Sequence, residues 1–453
     1  MSTSISSLFS PTIPLSSTIT NIPTNLLHKV TQFIHTNPKI TIVGSITILI
    51  TGTLGFCIHA SFGNPYPPSK YPKAVKNLDT CKVHTVQRLN PTNTTNNNSS
   101  VQEICTCTTT LVWSRPHGGF FDSLYIWSHV YAVRGMGKLL QLLVLPKPRY
   151  TLLLEPNNKP NTTITEGSIL PPVKCIIYYP NNDINYVSTS LYINCHGGGF
   201  IGGSPEDDDD FCYRICNETQ SIVISVDYKL APEYSPPTNA MDIVNTVLWA
   251  KQYYKTIEHI YIGGFSAGGT VALASATYVN NKHNQLLPSN LQSIIIDGVF
   301  AFYPPVNLSE YSINDFLDKN PYGKMIFYHS YLRNISNLDL TSFLISPYYA
   351  NSTTFPKHTI IVGGGIEPNK GDIDLLADKL SRESTINFIY KLYKFVPHGW
   401  DKLPTNILQN YIKNSEYNPS DIKNNNCVKD GLEAKEDAYK LIIDTINRIN
   451  QKK

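Results

Sequence analysis

The segment Gly264-Phe265-Ser266-Ala267-Gly268 holds the residue types in this chain that most directly suggest chemistry. A serine hydroxyl is a weak nucleophile until a base removes its proton. Here the serine sits among small residues, after the apolar run His259–Phe265 and before the helix-compatible TVALASATYV. That setting predicts a sharp strand-to-helix turn that exposes Oγ. A second segment, Cys195-His196-Gly197-Gly198-Gly199-Phe200, also ends an apolar run. Its glycines let the N–H groups of Gly197 and Gly198 converge with that of Ala267 where an oxyanion would develop. His196 reads as a structural residue that holds this loop. The base is expected instead at Pro397-His398-Gly399, because only His398 among twelve histidines has the right chain position and a flanking glycine. Together these groups imply acyl transfer: His398 deprotonates Ser266, the serine attacks an ester carbonyl, and water later cleaves the acyl-enzyme.

Such chemistry needs a rigid sheet to present it. Short apolar, β-branched runs occur at 173–179, 190–196, 221–228, 259–265, 293–303, 358–364 and 388–395. Turn residues bound them and helix-length segments separate them, the pattern of a mainly parallel sheet covered on both faces. The expected class is α/β, doubly wound. The run 433–449 has apolar Ala438, Leu441, Ile442, Ile446 and Ile449 on one stripe and reads as an amphipathic closing helix. Residues 401–432 are polar and Asn-rich and read as a surface insertion. On this sheet the triad order is Ser, then Asp or Glu, then His. The segment Gly364–Asp374 offers Glu367 and Asp372, and either carboxylate could orient an imidazole and stabilise its cation.

Three ordered motifs carry a family resemblance. HGGGF (196–200), DYKLAPE (227–233) and GFSAGG (264–269) resemble the hormone-sensitive-lipase-like family of α/β-hydrolases over roughly residues 173–450. The resemblance implies the α/β-hydrolase fold. In that family an acidic residue opens a D-P-L-x-D segment, followed by a helix ending in A-x-x-L. Aligning Glu367-Pro368 with D-P places Ala377 and Leu380 on that ending without a gap, which favours Glu367 as the acid. The chain departs from the family at Phe265, where an Asp usually precedes the nucleophile. Asp227 and Glu233 are expected to make structural hydrogen bonds behind the site. Within the family the layout is similar to fungal steryl acetyl hydrolases, which implies deacetylation of sterols or other lipophilic alcohols. A lipase for long-chain acylglycerols and a non-catalytic apolar-ligand receptor are the alternatives; retention of His398 speaks against the receptor.

The remaining features bound the class. The 453 residues carry a net charge of +3, with 37 basic and 34 acidic residues and no long basic run, which argues against nucleic-acid binding. A hydrophobic content of 41% excludes disorder throughout. Nine cysteines leave at least one unpaired or paired elsewhere; Cys57 and Cys195 read as buried thiols. Spacings among Cys81, Cys105, Cys107, Cys212 and Cys216 match no standard zinc pattern, so one or two disulfides are the better expectation. The run Glu206-Asp207-Asp208-Asp209-Asp210 lacks a calcium-loop pattern and reads as a solvated loop. No metal and no cofactor are expected.

The N-terminal part suggests a membrane. Residues 1–39 read as a disordered tail, and Ile40–Ile58 as an uncharged run long enough to span the hydrocarbon core. The run starts late and is long for a cleaved signal, so it is read as an uncleaved single-pass anchor. Residues 59–172 are read as linker and cap region, with 121–145 as a lid or cap helix, and 173–453 as the catalytic domain. Asn-x-Ser/Thr acceptors begin at Asn93, Asn97, Asn98, Asn161, Asn217, Asn307, Asn334 and Asn351, all after the span. The expected location is therefore the endoplasmic reticulum membrane, with the catalytic domain in the lumen.

Overall fold

Runs rich in Ile, Val and Tyr form the strands of one eight-stranded sheet, because branched and aromatic side chains pack well on a pleated surface. The structure is a computed structural model. It describes residues 120–143, 148–155, 171–281, 293–309, 325–332, 340–403, 408 and 426–451. In chain order these form α1 (Phe120–Leu143), β1 (Leu152–Leu154), β2 (Cys175–Tyr178), β3 (Ser190–Cys195), α2 (Asp209–Thr219) and β4 (Ile222–Val226). Then follow α3 (Thr238–Tyr253), β5 (His259–Phe265), α4 (Ala267–Asn280), β6 (Gly298–Phe302) and α5 (Met325–Leu332). The chain continues with β7 (His358–Ile366), α6 (Lys370–Ser381), β8 (Asn387–Pro397) and α7 (Asn426–Asn450).

The strand order is β1-β2-β4-β3-β5-β6-β7-β8. β2 is antiparallel to both β1 and β4, and every pairing from β4 onward is parallel. The expected mainly parallel, doubly wound α/β sheet is thus present, with an antiparallel edge. Strand β1 was not foreseen: three leucines are too short a run to stand out, yet they pair with β2 ahead of residue 173. The long run at 293–303 yields only the five residues of β6.

Two apolar layers cover the sheet. One packs α3, α4 and α6 against it through Val244, Val271, Leu273 and Leu376. The other packs α2 and α7 through Phe211, Ile215, Tyr439, Ile442 and Ile446. In α7 the expected stripe is seen, with Ala438, Ile442, Ile446 and Ile449 buried and Leu441 part-buried beside them. Burial of each such aliphatic side chain is worth about 1.5–3 kcal/mol.

Two readings of polar segments need correction. Residues 206–210 are not a solvated loop: Asp208 and Asp209 are buried, held by Lys402, Asn194, Arg149 and Tyr178. A buried carboxylate persists only with such partners. Likewise Asp401 does not begin a surface insertion, since it and Trp400 are buried in a single helical turn. Cys212 and Cys216 are buried free thiols, so neither forms a disulfide; Cys195 is buried as expected. The tail 1–39, the span 40–58, residues 59–119, and Cys57, Cys81, Cys105 and Cys107 lie outside the described residues. Among the described residues no helix is long and apolar enough to cross a membrane.

Candidate active site

The C-terminal ends of the parallel strands converge on Ser266. β5 ends at Phe265 and α4 begins at Ala267, so one residue must reverse the chain. Ser266 does so with φ 53° and ψ −121°, a sparsely populated region for a residue with a Cβ. Such a conformation costs on the order of 1–3 kcal/mol and persists only where the surroundings enforce it. Enforcement comes from the Ser266 N–H, which donates to the Phe302 carbonyl at the end of β6 (2.9 Å). It comes also from Gly268, where a Cβ would fall 2.0 Å from the Cys195 carbonyl oxygen. That close approach sets the first turn of α4 against the end of β3, hence beside the glycine loop. Ser266 stays partly exposed while both its neighbours are buried.

His398 reaches Ser266 from the turn after β8. Its Nε2 lies 2.8 Å from Ser266 Oγ and its Nδ1 lies 2.6 Å from Glu367 Oε1. Glu367 follows β7 directly, and its side chain is fully buried while that of His398 is 33% exposed. An ionised carboxylate can only accept, so Nδ1 carries the proton and Nε2 is left to accept from the serine hydroxyl. Asp372 is not at this site: it stands in the first turn of α6 and accepts from Asn307 Nδ2 at 3.1 Å. The structure therefore brings Ser266, His398 and Glu367 into one hydrogen-bonded row and leaves Asp372 out.

The glycine loop lies beside this row. Gly198 has φ +124°, and a Cβ there would fall 2.1 Å from the Gly202 carbonyl oxygen. Its own carbonyl accepts from the N–H groups of Ile201 and Gly202, which closes the turn. His196 is buried, with Nδ1 2.7 Å from the Gly197 carbonyl oxygen and its ring stacked on Tyr228 at 4.3 Å. Tyr228 also donates its hydroxyl to the His196 carbonyl at 2.6 Å. The structural reading of His196 agrees with this geometry, and Tyr228, inside DYKLAPE, is the loop's second support, which its residue type alone does not mark.

Flanking helices close the surroundings. Arg134 of α1 donates to the Ile201 carbonyl (2.6 Å) and the Ala231 carbonyl (2.9 Å) and grips Glu233 with both Nη atoms (2.6 and 2.8 Å). Asp227 instead pairs with Lys174 at 3.6 Å. On the other side α5 bridges two loops: the Phe327 ring packs against Gly199 and Tyr331 stacks on Phe200 at 4.0 Å. Tyr328 of the same helix donates to Asn369 Oδ1, two residues past Glu367 (3.4 Å). These aromatic side chains thus link α5 to the glycine loop on one side and to the segment after Glu367 on the other. Nothing in the sequence marks α5, because its role depends on Gly199, Phe200 and Asn369, from 41 to 131 residues away.

A donor row, a strained serine and an N–H-rich loop form a constellation fit for acyl transfer. Comparison with known proteins agrees. Residues 192–402 match the family model described as the alpha/beta hydrolase fold. An arylesterase from Saccharolobus solfataricus is 29% identical over 211 residues, 45% of this chain and 65% of that protein. The chain thus spans just under two thirds of that relative's length. A versiconal hemiacetal acetate esterase from Aspergillus parasiticus is 27% identical over 229 residues, 49% of this chain and 69% of that protein. Among solved structures, a hyperthermophilic esterase from the archaeon Pyrobaculum calidifontis aligns with a TM-score of 0.52 at 20% identity. That alignment covers 71% of this chain and 93% of the other, and it bears on the fold.

Proposed function

We propose, from the premise that residues 192–402 match the family model of the alpha/beta hydrolase fold, that this chain is a serine carboxylic-ester hydrolase. The observation that carries the reading is the unbroken row Ser266–His398–Glu367 with contacts of 2.8 and 2.6 Å. His398 Nε2 takes the hydroxyl proton as Oγ attacks the ester carbonyl. The N–H groups of Gly197, Gly198 and Ala267 receive the negative charge on the carbonyl oxygen, at the positive end of α4. The imidazolium, balanced by Glu367, returns its proton to the leaving alcohol. Water then repeats the cycle on the acyl-enzyme and frees the acid.

Gly198→Ala is expected to lower kcat about 10²- to 10³-fold, since a Cβ would push the loop and its N–H donor out of place. Stopped-flow or steady-state hydrolysis of a soluble acetate ester measures it; an unchanged kcat removes Gly198 from the oxyanion site.

The substrate class we propose is the acetate, or a similarly short acyl ester, of a sterol or other lipophilic alcohol. The part-buried Phe327 ring against Gly199 gives the glycine loop an apolar neighbour, and one relative is named for an acetate ester. An anchor at 40–58 would hold the domain at the endoplasmic reticulum membrane, facing the lumen. Purified protein should show its highest kcat/KM on acetates of lipophilic alcohols in a panel that varies acyl length and alcohol. Preference for long-chain acylglycerols would make it a lipase, and absence of both turnover and fluorophosphonate labelling would make it a receptor. For topology, Asn351 is exposed, whereas Asn217 donates Nδ2 to the Tyr213 carbonyl at 2.9 Å and Asn307 is buried. A luminal domain should carry glycan at Asn351 and none at Asn217 or Asn307; a full-length chain with no glycosidase-sensitive shift counts against the lumen.

A further inference from the structure

The turn bearing His398 is held by a second set of side chains, distinct from the triad. Trp400–Lys402 form one helical turn directly after Gly399. Within it Asp401 is buried, and its Oδ1 accepts from the Tyr303 hydroxyl while Oδ2 accepts from the Tyr439 hydroxyl at 2.9 Å. The Lys402 ammonium lies 3.5 Å from Asp401 Oδ2 and 3.0 Å from Asp208 Oδ1. The second oxygen of Asp208 accepts from Asn194 Nδ2 at 2.9 Å. The same ammonium sits 3.8 Å from the centre of the Phe265 ring, immediately before the nucleophile. Thus one short turn is tied to β6 through Tyr303, to α7 through Tyr439, and to the segment leading into α2 through Asp208.

Tyr303 connects this cluster to the imidazole. Its ring meets that of His398 edge-to-face, with centres 4.8 Å apart and planes at 62°. Its N–H donates to the Val362 carbonyl at 2.6 Å, which fixes the backbone as well. Burial, reinforced by the adjacent Asp401 carboxylate, raises the phenol pKa well above its usual value, so the hydroxyl stays a donor. For Lys402, burial alone would lower the pKa, but Asp208 and Asp401 outweigh it and raise it. The ammonium therefore stays charged.

Asp208 and Asp401 are buried while the Lys402 side chain is 31% exposed, and replacing buried ionic groups by apolar ones of similar volume is often neutral or stabilising. Stability alone is thus a poor reason for this cluster. Given the catalytic reading of Ser266, His398 and Glu367, on which this rests, we propose that Asp401 and Lys402 are positioning residues for His398. Asp401 orients Tyr303, whose ring sets the plane of the imidazole. Lys402 clamps the turn to Asp208 beneath Phe265, so that Nε2 stays in line with Ser266 Oγ.

The test compares wild type with Tyr303→Phe, Asp401→Asn, Lys402→Met and Lys402→Arg, reading kcat, KM, the rate of fluorophosphonate inactivation and the thermal midpoint. Tyr303→Phe keeps the ring and loses only the bond to Asp401. It should fold, and lower kcat and the inactivation rate about ten- to hundred-fold, as small misplacements of a reacting group do. KM should stay within about twofold, since no contact to substrate is lost. Lys402→Met should behave alike and Lys402→Arg should recover most of the activity. Folded Tyr303→Phe with wild-type kcat overturns the inference, even if Lys402→Met or Asp401→Asn fails to fold. So does a loss confined to the thermal midpoint, which is what a purely structural cluster would give. Wild type that neither turns over esters nor labels overturns the catalytic reading and the inference with it, whereas active wild type with unchanged variants overturns the inference alone.

Discussion

Ser266→Ala should abolish ester hydrolysis, with kcat falling about a million-fold, and should leave the protein folded. The side-chain oxygen makes one contact that matters, to His398 Nε2 at 2.8 Å. The strained backbone at this position is held by the Ser266 N–H bond to Phe302 and by the crowding at Gly268, and neither involves Oγ. Removing the hydroxyl therefore removes the nucleophile and little else. His398, Glu367 and the glycine loop remain, so residual catalysis over water of about 10³–10⁴ from those groups is the ceiling for the variant. Covalent labelling by a fluorophosphonate should vanish while the variant still binds substrate. Retention of both turnover and labelling would show that some other serine is the nucleophile.

Glu367→Gln should lower kcat about 10⁴-fold with the fold intact, whereas Asp372→Asn should remain close to wild type. The contrast follows from where each carboxylate points: one lies 2.6 Å from His398 Nδ1, the other 3.1 Å from Asn307. A glutamine amide in place of Glu367 has two opposite failings. If its NH₂ faces Nδ1, the imidazole must carry its proton on Nε2 and can no longer accept from Ser266. If its oxygen faces Nδ1, the tautomer is right but no charge balances the imidazolium. Burial of Glu367 makes both worse, because water cannot stand in for the lost charge. Steady-state kinetics with a soluble ester would measure the pair of variants. Equal losses in both, or a loss in Asp372→Asn only, would reverse the assignment of the acid.

Much of the site was legible because its signals are local. A serine hedged by small residues after an apolar run, three consecutive glycines, and a histidine beside a glycine each disclose themselves within six residues. The choice of Glu367 over Asp372 came from a resemblance, since either carboxylate meets the chemical demand. What escaped were features whose meaning lies in distant partners. Three leucines become strand β1 only because β2 offers an open edge to pair with. Asp208 and Asp209 look like solvent-facing charges until Lys402 and Arg149 arrive from 194 and 60 residues away. The polar look of the segment after Trp400 hid Asp401 for the same reason, as its partners Tyr303 and Tyr439 lie 98 and 38 residues off. Residue type predicts burial well for Ile and Val and poorly for a charge, whose location depends on whether a counter-charge is supplied.

The closing helix has a bearing on the order of folding. Asn450, near the end of α7, accepts from the Tyr261 hydroxyl in β5 (2.8 Å) and donates to Ser190 in β3 (3.2 Å), across sequence separations of 189 and 260 residues. Tyr439 of the same helix completes the hydrogen bonds of Asp401. Contacts this far apart in sequence form late, after the loop-closure entropy of the intervening chain has been met. During synthesis the central strands must therefore wait, with one apolar face uncovered, until α7 has emerged and docked. One element carries both roles: the helix that covers this face of the sheet also holds the histidine turn through Tyr439, so the working geometry requires α7 to dock.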